Sequence, residues 1–319
     1  MKCVDETPVS THLFRTVLDE ATMVGTLVAT ATYAMLDDGR LVLARDQPPP
    51  RLEPTVVDGV TLPPDGGYGK RGVDVLAIGH AHAPGGGATE ATMAGLSIAG
   101  RYLGIAVIGD RVWRRRWPSF VASDPEPFER MPLDWSRAFG GRARVRGTEV
   151  PLLDNPSGRG YVLDPAAAEG VALPNLESVD DRLRHPLDAP APVAFAPLLP
   201  GNRYVRELVD RVDEDGRGLD RSLYNVALPE HRLPDYPGGA PLQLHALTPG
   251  PMRPVALPTA RVIAEVRLDG HPCEVPASVD TILVCPDRRT LSITHRAVFR
   301  YDYLRGRARV VRARWREAA

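Results

Sequence analysis

Hydrophobic residues occur along this chain in short runs that are separated by turn-forming residues. Short runs of this kind, bounded by Gly, Pro, Asn and Asp, are typical of β-strands. Turn dipeptides such as Asp38-Gly39 and Asp269-Gly270 join several of the runs. The pattern predicts strands at Thr26–Tyr33, Arg40–Ala44, Val73–Ile78, Ala94–Ile98, Leu103–Ile108, Arg261–Leu268, Thr281–Cys285, Leu291–Thr294 and Arg307–Arg312.

Helical periodicity is rare in the sequence. The segment Asn202–Val212 has apolar residues at helical spacing and ends before Asp-Glu-Asp-Gly, which predicts one helix there. Short helical turns are also predicted around Pro125–Arg130 and Leu133–Ala138. The strands therefore outweigh the helices in the predicted fold.

Proline and glycine interrupt the chain throughout its length. It has 32 Pro and 29 Gly among 319 residues, about a fifth of the chain against an average of about 12%. A chain of this length with 43% hydrophobic residues can bury a sizeable core. We predict a mainly β protein with two β-rich, sandwich-like lobes, residues 1–120 and 236–319. A loop-rich middle of residues 121–235, with a few short helices, should join them.

Net charge, apolar runs and cysteine content indicate which partners and which cellular compartment to expect. The formal net charge of -1 gives no overall attraction to nucleic acid or to an anionic membrane. The apolar run Met23–Leu36 is too short and too rich in Thr to span a membrane, and the first residues lack the apolar core of a signal peptide. Cys3, Cys273 and Cys285 form no CxxC pattern, which fits a reducing compartment without structural zinc. We expect a soluble cytoplasmic protein.

Two arginine-rich segments could suggest a nucleic-acid surface. In Arg111–Trp117 arginines stand between two Trp residues, and in Arg305–Arg316 they alternate with Ala, Val and Trp. Alternation along a strand places the arginines on one face and the apolar side chains on the other. We therefore interpret the alternating segment as a solvated face of a strand. With a net charge near zero, we expect neither segment to bind nucleic acid.

The segment Asp74–Gly87 ends an apolar strand with His-Ala-His. Because alternate side chains of a strand share a face, His80 and His82 would point the same way and could share one metal ion. A hydrolase of the amidohydrolase type would also need long helices between its strands and further ligands. The two histidines share a face with Leu76 and Ile78, so histidines at the core or edge of a sheet are the simpler interpretation. A metal-dependent hydrolase that uses His80 and His82 remains the alternative function.

Other catalytic motifs give little support for an enzyme. Gly67–Gly72 matches GxGxxG, but it is followed by a strand instead of a helix, so we interpret it as a turn. The sequence contains no Walker A, GxSxG or HExxH pattern.

A series of longer motifs follows one order along most of the chain. The motifs are DVLAIGHAHAP (Asp74–Pro84), VIGDRVW (Val107–Trp113), DPEPFERMPLDWSRAFGG (Asp124–Gly141), NPSGRGY (Asn155–Tyr161), LPNLES (Leu173–Ser178), YNVALPEHR (Tyr224–Arg232) and VDTILVCPDRRTLSITHRA (Val279–Ala297). The series resembles a bacterial family with a domain of unknown function whose genes lie beside type VI secretion genes. The resemblance covers roughly Phe14 to Arg300, and in the family pattern the positions of His80 and His82 are variable.

This resemblance implies an adaptor, or effector chaperone, of the type VI secretion system. Such a protein binds a cognate toxin effector in the cytosol and helps to load it onto the VgrG spike or its PAAR tip. The resemblance implies no enzymatic activity, no catalytic residues, no cofactor and no metal. The resemblance implies the toxin effector as the partner, and the VgrG or PAAR spike proteins as further candidates, with neither nucleic acid nor membrane.

The motif residues can be structural or can bind a partner. Trp135 and Phe139 are four residues apart and would share a face of a short helix. Arg137, Arg159 and Glu177 could hold the middle segment together or contact a partner, and the Gly, Asn and Pro residues can fix unusual turn conformations. The candidate residues are Trp135, Arg137, Phe139, Gly140, Gly141, Asn155, Pro156, Gly158, Arg159, Gly160, Pro174, Asn175 and Glu177.

Overall fold

The computed structural model describes residues 1–198, 221–268, 271–302 and 310–317. The helix predicted at Asn202–Val212 lies outside the described residues. Within the described residues, none of the helices has the length and apolarity that crossing a membrane would take. The 3-10 helices are η1 (Pro84–Gly86), η2 (Trp135–Arg137), η3 (Pro165–Ala167), η4 (Arg221–Tyr224), η5 (Pro229–His231) and η6 (Pro286–Arg288).

Strands dominate the described residues, so the protein is mainly β, as the sequence pattern predicts. The first strands are β1 (Lys2–Glu6), β2 (Ser10–Val17), β3 (Thr22–Met35), β4 (Leu41–Leu43), β5 (Thr55–Val57), β6 (Val60–Leu62), β7 (Val73–Ala77), β8 (His80–His82), β9 (Ala91–Ile98), β10 (Arg101–Ile108), β11 (Trp113–Arg116), β12 (Ser119–Ala122) and β13 (Arg130–Pro132). The later strands are β14 (Phe139–Gly140), β15 (Arg142–Val145), β16 (Thr148–Pro151), β17 (Arg159–Gly160), β18 (Leu176–Glu177), β19 (Arg232–Leu233), β20 (Pro241–His245), β21 (Val255–Ala256), β22 (Arg261–Leu268), β23 (His271–Pro276), β24 (Ser278–Cys285), β25 (Thr290–Asp302) and β26 (Val310–Arg316).

The largest sheet has seven strands in the order β19-β7-β24-β25-β3-β2, and β4 pairs with β3. Its longest strand, β3, is buried continuously from Val24 to Tyr33. Strands with both faces buried have nearly continuous apolar sequences instead of alternating ones. β25 pairs antiparallel with β3, and Phe299 lies directly across from Gly25. A Cβ at Gly25 would be 2.3 Å from Cζ of Phe299, so only glycine leaves room for that ring.

Each large sheet combines strands from the beginning and the end of the chain. In the seven-stranded sheet β24 lies between β7 and β25, and β25 lies against β3. A four-stranded sheet has the order β1-β26-β22-β23, with β1 parallel to β26. This pairing differs from the prediction of one lobe in residues 1–120 and another in residues 236–319. Both ends of the chain therefore complete the same sheets.

The five-stranded sheet brings the middle of the chain into the fold. Its order is β18-β10-β9-β20-β21, and β18 pairs with β10 at its edge. One core cluster contains side chains from all three large sheets, including Leu27, Leu96, Ile282 and Val311. A separate, smaller cluster contains Trp113, Phe139, Val162, Ala168, Leu173 and Leu183. The middle segment therefore has its own small core beside the main one.

One predicted helical turn forms and the other does not. Leu133–Ala138 contains η2, whose N-cap Asp134 accepts a hydrogen bond from the backbone N–H of Ser136. Pro125–Arg130 forms no helical turn, because Phe128 pairs with Thr89 as a β-bridge and is buried in the main core. Tertiary pairing overrides the local helical preference at this segment.

Candidate functional site

The motif segment is the part of the molecule where the candidate residues meet. Trp135 is buried in the main core, and its indole Nε1 donates a hydrogen bond to the carbonyl oxygen of Pro197 at 2.9 Å. Phe139 is buried in the smaller cluster. The prediction that these two rings share a helix face is wrong. Helix η2 ends at Arg137, and the extended backbone of Ala138 directs the next side chains elsewhere.

Asn155 connects the two aromatic positions through their main chain. Its buried amide Nδ2 donates to the carbonyl oxygens of Trp135 at 2.8 Å and Phe139 at 3.0 Å. Gly140 and Gly158 allow the chain to pass close to this residue. A Cβ at Gly140 would lie 2.2 Å from the Asn155 carbonyl oxygen, and one at Gly158 would lie 2.4 Å from its Nδ2. Asn155 and these glycines therefore have a structural role.

Backbone conformation and close packing also explain the glycines at other turns of the motifs. Gly141 has φ +97 and Gly160 has φ +93, conformations that favour glycine. At Gly160 a Cβ would lie 2.9 Å from Cδ of Pro174, so the motifs at 155–161 and 173–178 pack closely. Pro156 is an exposed turn residue next to Asn155.

Arg137, Arg159 and Asn175 meet at one carboxylate, Asp110. Asp110 Oδ1 lies 3.1 Å from Arg137 Nη1, 3.4 Å from Arg159 Nη1 and 3.0 Å from Asn175 Nδ2. The side chains of the two arginines are 26% and 27% exposed, and that of Asp110 is 52% exposed. Partial burial lowers the pKa of the Arg159 guanidinium from its ordinary value, and the Arg137 charge adds to this lowering. The cluster therefore has two guanidinium groups at the surface that share a single carboxylate.

Glu177 forms a buried ion pair on the far side of Asn175. Its Oε1 accepts a hydrogen bond from Arg111 Nη2 at 2.7 Å, and the same nitrogen donates to the carbonyl oxygen of Pro174 at 2.9 Å. Burial raises the pKa of Glu177, and the charge of Arg111 opposes this shift. This arrangement fastens β18 to the end of β10.

The sequence motifs indicate most members of these clusters, but they assign no role to Asp110 or Arg111. The dipeptide Gly109-Asp110 had the appearance of a turn, and Arg111 belonged to an arginine-rich segment. The available signal was their position inside the motif VIGDRVW. That position marks Asp110 and Arg111 as candidate residues, but it does not identify their partners.

The two candidate metal ligands, His80 and His82, both face Asp287. His80 Nδ1 lies 2.7 Å from Asp287 Oδ2, and His82 Nε2 lies 3.3 Å from Asp287 Oδ1. The three side chains connect β8 to η6, and all are partly exposed. Across the part of the chain that the structure describes, no three His, Cys, Asp or Glu side chains are grouped so that they could hold a metal ion. The prediction that both histidines point the same way agrees with this geometry, whereas Asp287 was not anticipated.

Comparison with known proteins supports the assignment to a bacterial family. The family model described as "Uncharacterized protein conserved in bacteria (DUF2169)" matches residues 20–296. Comparison with curated proteins and with solved structures gives no match. The matched range includes the Asp110 and Asn155 clusters and the histidine pair, and it spans well over half of the 319 residues. The chain therefore belongs to DUF2169, a family of uncharacterized proteins conserved in bacteria.

Proposed function

We propose that this protein is a type VI secretion adaptor that binds one cognate toxin effector and helps to load it onto the VgrG or PAAR spike. The observation that carries the proposal is the ordered series of motifs, which resembles the family encoded beside type VI secretion genes. Membership of a family conserved in bacteria is compatible with it.

The geometry of the motif residues supports a binding scaffold over a catalytic centre. Asn155 holds two main-chain carbonyl groups, and Glu177 is paired with Arg111. These contacts fix the conformation of a long, irregular segment on a β scaffold. Loops held in this way can present a broad surface to a partner.

The metal-hydrolase alternative has less geometric support. It requires His80 and His82 to face an ion together with at least one further ligand. Each histidine instead lies within hydrogen-bonding distance of a separate oxygen of Asp287. We therefore favour the adaptor.

A secretion assay on a deletion strain tests the proposed function. Loss of an adaptor should abolish secretion of one cognate toxin while the sheath assembles and other type VI cargo is secreted. The toxin should also become less soluble in the cytosol, because its apolar docking surface is left uncovered. The strain complemented with the wild-type gene is the control.

Two results would contradict the adaptor. Loss of all type VI secretion would indicate a structural part of the machine, and unchanged secretion of every toxin encoded nearby would leave no cargo for it to carry. Co-expression gives an independent test. The toxin and this protein should co-purify as a complex that is stable to size-exclusion chromatography, which requires a submicromolar Kd, below about 1 μM.

A further inference from the structure

The hairpin of β11 and β12, called here the Trp117 hairpin, has the most exposed large hydrophobic side chain in the described part of the chain. Trp117 lies at its tip and is 89% exposed. Arg114, Arg115 and Arg116 precede it on β11, and all three are exposed. Among the described residues, no ion pair engages these three arginines. From the sequence, we expect no nucleic-acid binding by this segment, and the exposed Trp calls for a further explanation.

The base of the hairpin is held firmly by the motif segment. Trp113 is fully buried in the small cluster that also contains Phe139 and Leu173. The backbone N–H of Trp113 donates to Val171 at 3.0 Å, and its carbonyl oxygen accepts from Gly170 at 2.8 Å. The motif residues therefore support the element that carries Trp117. A tip on a fixed base loses little conformational freedom when it binds, which favours affinity.

Each face of the hairpin combines an arginine with an apolar side chain. The Arg115 guanidinium lies over the Phe120 ring, 5.2 Å from its centroid. Arg114 is directly across from Val121, which is 39% exposed. A single exposed hydrophobic residue is common on protein surfaces, but Trp117 lies at the tip of a hairpin that also carries three exposed arginines. Trp and Arg together at an exposed tip are the residue types that dominate binding energy at protein interfaces.

The charges nearby favour a protein partner over nucleic acid. The three arginines would neutralise only about three phosphates, which gives weak binding at physiological salt. A carboxylate, Glu169, also lies at the hairpin, where its Oε2 accepts from the backbone N–H of Arg115 at 2.6 Å. The chain as a whole has a net charge of -1. The basic side chains of the hairpin therefore lie beside an acidic side chain, in a chain that is nearly neutral overall.

We propose that the Trp117 hairpin is the docking element for an acidic protein surface. Trp117 enters an apolar pocket of the partner, and Asp or Glu side chains around the pocket pair with Arg114 and Arg116. This inference rests on the proposed function, because it takes the partner to be the carried toxin.

The experiment measures the affinity of purified full-length protein for the purified, catalytically inactivated toxin encoded by the neighbouring gene. Trp117→Ala removes the aromatic tip, and a double variant, Arg114→Glu with Arg116→Glu, reverses the charges. The matched control is Arg142→Glu with Arg144→Glu on the β15–β16 hairpin. There the two arginines are exposed and lie 3.9 and 3.6 Å from Glu149. Both double variants change the same number of charges on a two-stranded hairpin.

We expect Trp117→Ala to weaken binding by about 30-fold or more, as the loss of an interface hot spot does. The Arg114/Arg116 variant should weaken it by at least about 10-fold, mainly through a slower association rate. The Arg142/Arg144 control should bind like the wild type within about twofold. The Tm of the Trp117 variant should change by no more than about 2 °C, because the side chain is exposed.

The negative results of these binding experiments distinguish the proposed function from the hairpin inference. If the wild-type protein does not bind the toxin, the proposed function fails, and the hairpin inference fails with it. If the wild type binds and all variants bind equally, the adaptor stands and only the hairpin inference is overturned. A fluorescein-labelled single-stranded DNA of about 30 nucleotides gives a further arm. If the wild type binds the DNA at physiological salt and the Arg114/Arg116 variant does not, the hairpin is a nucleic-acid surface and the inference is wrong.

Discussion

At the scale of single residues, two buried histidines make stability depend on pH. His231 is stacked on Phe195, with the ring centroids 4.6 Å apart, and burial lowers its pKa to about 4. Burial also lowers the pKa of His295 to about 4, although the nearby Asp280 charge opposes the shift. Both imidazoles are therefore neutral in the folded protein at neutral pH, and the unfolded chain takes up protons first as the pH falls.

We predict that the free energy of unfolding decreases as the pH falls from about 6.5 toward 4. An unfolded histidine has a pKa of about 6.5, so in this range the unfolded state binds protons that the folded state does not. The contribution of the two neutral histidines to the free energy of unfolding is fully present above about pH 6.5. Below that pH, the contribution falls by up to about 1.4 kcal/mol per pH unit for each histidine. Urea unfolding measured across this range checks the slope.

Substitution of one histidine tests whether it causes this dependence of the free energy of unfolding on pH. His231→Gln should make the pH dependence shallower, because one group that titrates in the unfolded chain is removed. His271→Gln is the control, since its side chain is exposed. If the free energy of unfolding depended on pH equally in the wild type and in His231→Gln, His231 would not be a cause of the pH dependence.

At the scale of elements, η2 and β14 fasten the motif segment to two different cores. Trp135 packs in the core that the three large sheets share, and Phe139 packs beside Trp113 under the Trp117 hairpin. The short connection through Ala138 therefore links the sheets to the small cluster.

Truncation of either ring should be strongly destabilising. We predict that Trp135→Ala and Phe139→Ala each lower the free energy of unfolding by about 3–5 kcal/mol, as large aromatic deletions in cores do. Although the rings lie in separate clusters, Asn155 donates to the main-chain carbonyl groups of both residues. The double variant should therefore depart from additivity by about 0.5 kcal/mol or more. Urea unfolding of the single and double variants tests this. Leu163→Ala is the control, since Leu163 is 43% exposed. If Phe139→Ala kept its Tm and lost only toxin binding, this side chain would belong to an interface.

At the scale of the whole molecule, the two ends of the chain fold together. β7 and β3 from the first part of the chain pair with β24 and β25 from the last part. β1 pairs in parallel with β26. Each end supplies strands that the other end needs as neighbours.

Separate fragments should therefore not fold. We predict that residues 1–120 and residues 236–319, expressed alone, are unfolded or aggregated, because their buried strands have open edges. Circular dichroism and amide-proton dispersion of each fragment provide the measurement, and the full chain is the reference. A folded fragment 1–120 would support the separate lobes predicted from the sequence.

The candidate site was predictable only in part. The resemblance pointed to Arg137, Arg159, Asn175 and Glu177, and the structure places all four in two connected clusters. Their partners were not predictable, because a carboxylate or guanidinium finds its counterion through space and not through sequence spacing. The arginines meet Asp110, and Glu177 meets Arg111, more than sixty positions away.

The local sequence pattern is enough to predict a mainly β fold with few helices. Short apolar runs between turn residues limit the local backbone to extended segments, and this restriction acts within a few residues. The tertiary structure is needed to establish which strands pair, that both ends of the chain share each large sheet, and that Trp135 and Phe139 lie in different cores. Hydrogen-bond partners of strands and the packing of apolar faces depend on residues far apart in the chain, so no local pattern specifies them.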